Sequence, residues 1–72
     1  MKAVIKIFNM STSKDISNVN LAISNNQGVI ACGINSESKE VEIIYDDYFI
    51  SLQNLIDSIE DACYTVIEKT RD

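Results

Sequence analysis

The apolar pattern of this chain changes period repeatedly along its length, from two residues to about 3.6 and back, and few folds accommodate that order. Lys2 to Phe8 alternates: Ala3, Ile5 and Ile7 share one face, and Lys2, Val4, Lys6 and Phe8 share the other. β-Branched residues dominate, so the stretch is predicted to be a strand. The polar stretch NMSTSKDI (residues 9–16) follows. Thr12 and Asp15 have the spacing of a capping box, with Asp in the usual Glu position. Ile16, Val19, Ala22 and Ile23 then recur as one apolar helical stripe, and Asn25-Asn26-Gln27-Gly28 ends it, Gly28 suiting a left-handed turn.

The same sequence of signals returns in the second half. Val29 to Ile34 is predicted as a strand with Cys32 and Ile34 inward, and Asn35 to Lys39 as a polar turn. Glu40 to Tyr45 alternates with Val41, Ile43 and Tyr45 inward, the Tyr45 hydroxyl being expected to reach solvent; the two strands make a hairpin. Ser51 is placed to cap a second helix whose stripe is Leu52, Leu55, Ile56, Ile59 and Ala62. Of the connector aromatics Tyr48 and Phe49, one is expected to be exposed. Thr65 to Glu68 reads as a short last strand, with Lys69 to Asp72 frayed. The order βαββαβ predicts an α+β, ferredoxin-like sandwich: a four-stranded antiparallel sheet in the order 4-1-3-2 with both helices on one face.

With 72 residues, the chain is expected to form one domain, 1–72, with no linker. The net charge of −5 disfavours a phosphate backbone as partner, so nucleic acid is not expected. No apolar run is long enough to span a bilayer, and the charge-interrupted start MKAVIKIFN predicts no leader, so no membrane insertion and a cytosolic location are expected. The two cysteines, Cys32 and Cys63, are far apart in sequence and are read as reduced thiols. The chain contains no histidine, no Gly-rich phosphate loop and no cysteine beside a base, so no catalytic role is expected. Asp46-Asp47 and Glu60-Asp61 read as a solvated acidic rim.

From residue 2 to about residue 67, without a gap, the chain resembles a heavy-metal-associated domain, the fold of bacterial copper chaperones and of the N-terminal modules of metal-pumping ATPases. Met10 stands where the family's loop methionine stands. Ile16, Val19, Ala22 and Ile23 match its first helix, Gly28-Val29 the opening of its second strand, and Val41 to Asp46 its third. Ser51 to Tyr64 resembles its second helix and the alanine-glycine-tyrosine that follows, with Cys63 in place of the glycine. The resemblance implies a loop of glycine-methionine-threonine-cysteine, two variable residues and a second cysteine. Asn9 to Asp15 follows that register with Thr12 and Asp15 where the cysteines would stand.

Cu(I) prefers thiolates, and a helix N-terminus helps keep them deprotonated. A hydroxyl and a carboxylate are hard donors, and both are also ordinary helix-start residues. No metal or other cofactor is therefore expected. One alternative remains: Cu(I) or another soft metal held by the Met10 thioether and the Cys63 thiolate, with Asp15 outside. Its rival has Met10 as a buried loop anchor and Cys63 filling a helix end, in a left-handed conformation that costs of order 1 kcal/mol. The leading expectation is a non-enzymatic protein-interaction or regulatory module linked to metal transport. It would act through a protein partner or self-association, using Val4, Phe8, Ile44 and Ile67 on the uncovered sheet face, with Ser13 and Tyr64 at the loop end. A ferredoxin-like regulatory module binding a small molecule at a dimer interface is a further alternative.

Overall fold

The structure, a computed structural model, describes residues 1–71. Its elements run β1 (Lys2–Ile7), α1 (Ser13–Ser24), β2 (Val29–Asn35), β3 (Glu40–Tyr45), α2 (Leu52–Asp61) and β4 (Val66–Arg71). The four strands form one sheet in the order β2-β3-β1-β4, with each of the three neighbouring pairs antiparallel. This is the ferredoxin-like βαββαβ arrangement expected from the periodicity.

The alternation decides which residues are inside. Ala3, Ile5 and Ile7 of β1 and Val41, Ile43 and Tyr45 of β3 are buried, and Ala3 lies opposite Ile43, Ile5 opposite Val41. Over them pack Val19 and Ile23 of α1 and Leu55, Ile56 and Ile59 of α2, so both helices lie on one face of the sheet. Ile16, Leu52, Ala62, Cys32 and Ile34 are partly buried at the margin of the same core. Each fully buried aliphatic side chain contributes about 1.5–3 kcal/mol, which matters in a domain of this size.

The structure departs from the expectations at several places. Strand β1 ends at Ile7, and Phe8 lies in the turn beyond it. Strand β4 begins at Val66 and runs through Arg71, so Lys69 to Arg71 are paired rather than frayed; Asp72 lies outside the described residues. The physical reason is backbone pairing with Ala3 to Ile5, which needs no apolar side chain on an edge strand. Both Tyr48 and Phe49 are exposed, stacked edge to face with ring centroids 5.2 Å apart. The Tyr45 hydroxyl does not reach solvent: it is buried and finds no hydrogen-bond partner among the described residues.

Glycine 28 is where the backbone tolerates no other residue easily. Its φ is +102°, and a Cβ there would stand 2.8 Å from the Phe49 Cβ. That close approach lets the Gly28 carbonyl accept from the Asp46 amide at 2.8 Å, tying the start of β2 to the end of β3.

Candidate functional site

The turn after β1 and the turn after α2 meet at one pole of the sandwich, and Asn9 joins them. Its side-chain Nδ2 donates to the Cys63 carbonyl at 3.1 Å, and its Oδ1 accepts from the Thr65 amide at 2.9 Å. The Phe8 amide adds a bond to the Thr65 carbonyl at 2.9 Å. Nothing local in the sequence marks Asn9 for this role, because its partners lie 54 and 56 residues away.

The start of α1 is a complete capping box. Thr12 Oγ1 accepts from the Asp15 amide, and Asp15 Oδ2 accepts from the Thr12 amide, both at 3.1 Å. The same Oδ2 accepts from the Ser11 amide at 3.1 Å. The other oxygen, Oδ1, accepts from the Tyr64 hydroxyl at 2.8 Å, and Asn18 Nδ2 donates to that hydroxyl at 3.3 Å. The Ser11 amide first, then the Tyr64 hydroxyl and the Thr12 amide, hold the Asp15 carboxyl at about 2, below its ordinary 3.8. Tyr64 is buried; removal from water pushes its hydroxyl above the usual value, and the Asp15 carboxylate it serves adds to that shift.

The predicted donors therefore differ sharply in what they can offer. Met10 is fully buried in the core. Asp15 has both oxygens committed, and the Thr12 hydroxyl is committed to the Asp15 amide. Cys63 is exposed, with φ at +71°, and its thiol is free. No cysteine occurs between residues 8 and 15. Among the described residues, no three His, Cys, Asp or Glu side chains are grouped so as to hold a metal ion. Of the predicted donors, Cys63 alone combines a soft atom with exposure; Met10 is soft but buried, and Asp15 is a hard donor.

The interaction candidates are dispersed. Val4 and Ile44 lie on the uncovered face, but Val4 is registered with Glu42, and Ile44 with Lys2. A Lys2–Glu42 ion pair at 3.7 Å crosses between them. Phe8 is exposed at the loop pole, with the Lys39 ammonium 5.9 Å from its ring centre. Ile67 is exposed where the β1–β4 register shifts. Ser13, the first residue of α1, is exposed beside the capping box. No helix among the described residues is long and apolar enough to cross a membrane.

No protein-family model matches the chain. Among curated proteins, the copper chaperone CopZ of Staphylococcus aureus (strain JH9) is 31% identical over 64 residues, covering 89% of this chain and 94% of the relative. A solved CopZ metallochaperone superposes with a TM-score of 0.90 at 30% identity, over 93% of this chain and all of that one. Oxidised MerP from Ralstonia metallidurans CH34 follows the same path with a TM-score of 0.86 at 26% identity, over 94% of this chain and 97% of MerP.

Proposed function

This chain belongs to the family of the copper chaperone CopZ, and from that membership we propose that it is a heavy-metal-associated domain without the paired-cysteine metal site, serving metal traffic by protein contact rather than by carrying the ion. It is not an enzyme, and it works in the cytosol on a partner that itself handles metal, such as a pump or a carrier with intact cysteines.

The observation that carries this reading is the state of Asp15. At the position where the resemblance implies the second cysteine, a carboxylate accepts from two backbone amides and the Tyr64 hydroxyl. An ion there would compete with those bonds and meet a hard oxygen rather than a thiolate. The same bonds order the loop from Ser11 to Asp15 without any ion, so its surface is preorganised for contact.

Anaerobic Cu(I) competition against a chromophoric chelator tests the reading, with the protein fully reduced and Cys63→Ser run beside it. Neither protein should withdraw copper from the chelator. Uptake of one Cu(I) per chain by the native protein and none by the variant would overturn the reading in favour of a rebuilt site around Cys63.

A further inference from the structure

We propose that the uncovered face of the sheet is a self-complementary docking surface for a second copy of this chain. The helices cover one face only. On the other, register and alternation set out four short rows: Ala31, Gly33 and Asn35 on β2; Glu40, Glu42 and Ile44 on β3; Lys2, Val4 and Lys6 on β1; Glu68 and Thr70 on β4. The two central rows carry opposite charge. Beside them the face is hollowed: a shallow depression of about 520 Å³ is lined by Val4, Gly33, Ile34, Asn35, Glu40 and Glu42. Gly33 is its floor, and a Cβ there would meet nothing within 4 Å.

Symmetry then limits how two such faces meet. A two-fold axis in the plane of the sheet and across the strands would centre β1 on β1, placing Lys2 over Lys6 of the second copy and Glu42 over its own counterpart. Like charges oppose that arrangement. A two-fold axis running along the strands between β1 and β3 lays each lysine row over the glutamate row of the other copy. Because Lys6 is registered with Glu40 and Val4 with Thr70, Glu42 and Gly33, the same rotation sets Lys6 over Glu40, Glu68 over Asn35 and Thr70 over Gly33 of the second copy. Among the described residues of these rows, no like charges face each other across this axis.

Lys6 and Glu40 are exposed and are not ion-paired to each other within 4 Å; the Lys2–Glu42 pair, at 3.7 Å and solvent-exposed, is weak enough to rearrange. Aligned sheet packing tolerates the roughly 30° twist between the two faces. So small a face makes a weak, transient dimer, favoured by high concentration and weakened by salt. Met10, Asp15 and Cys63 are not part of it, so the dimer does not depend on whether an ion binds.

Sedimentation equilibrium of the full chain across a wide concentration range, at low and high salt, tests this, with circular dichroism to check that each variant is folded. Dimer should form at high concentration and dissociate as salt rises. Lys6→Glu and Glu40→Lys should each weaken association at least about tenfold, since each breaks two symmetry-related pairs, and the double variant should restore it. Gly33→Arg, which the open space above the strand accommodates, should block it. A chain monomeric at every concentration, or a double variant no better than the singles, would overturn the proposal.

Discussion

Cys63 carries a conformation that its side chain opposes. Helix α2 ends in a Schellman arrangement: the Cys63 amide donates to the Glu60 carbonyl at 3.0 Å and the Tyr64 amide to the Ile59 carbonyl at 3.3 Å. That closure needs a left-handed residue just past the cap, usually glycine, and here Cys63 takes it at φ +71°. A Cβ in that region costs about 1 kcal/mol. Cys63→Gly should therefore stabilise the domain by roughly that amount, raising Tm by about 4–8 °C in a thermal melt under reducing conditions. An unchanged or lower Tm would mean that the Cys63 side chain contributes at least as much as the strain costs. The strained position was legible beforehand, because the resemblance puts a glycine there. Asn9 was not legible, since its two bonds join segments that approach only once the whole sheet has formed.

At the scale of elements, the start of α1 is where charge and structure are coupled. The folded Asp15 carboxyl titrates near 2, against 3.8 when unperturbed. A carboxylate with a depressed folded value contributes stability that is fully present above its unfolded value and is lost as pH falls through the folded one. Urea titrations between pH 7 and pH 2 should show native stability declining between about pH 4 and about pH 2, the window set by those two values. Asp15→Asn should be less stable than the native chain at pH 7, because a neutral amide accepts the Ser11, Thr12 and Tyr64 bonds less strongly, and its decline across that window should be shallower. Equal slopes for the two proteins would remove Asp15 as the source. The capping box was readable from Thr12 and Asp15 because both partners lie within one turn. The length of β4 was not, because Lys69-Thr70-Arg71 carries no apolar alternation and is ordered by its pairing with Ala3 to Ile5.

Across the whole molecule the core is one-sided, and its polar defect lies within it. Tyr45 is among the largest buried side chains and belongs to the one core cluster, yet among the described residues its hydroxyl has no partner. The inward position of Tyr45 was readable from its alternation with Val41 and Ile43. The fate of the hydroxyl was not, since it depends on how the rest of the chain closes over the ring. A buried hydroxyl without a hydrogen bond carries a desolvation cost of about 1–3 kcal/mol that folding does not recover. Tyr45→Phe keeps the ring and removes only that oxygen, leaving a gap smaller than a methyl group. The lost oxygen contacts offset part of the gain, so the expected net effect is a stabilisation of about 1 kcal/mol, read as a higher urea midpoint with unchanged slope. The comparison should be made at a concentration low enough to keep the chain monomeric, so that self-association does not add to the apparent stability. A clear loss of stability would show that the hydroxyl is bonded in solution and that the core is polar-satisfied after all.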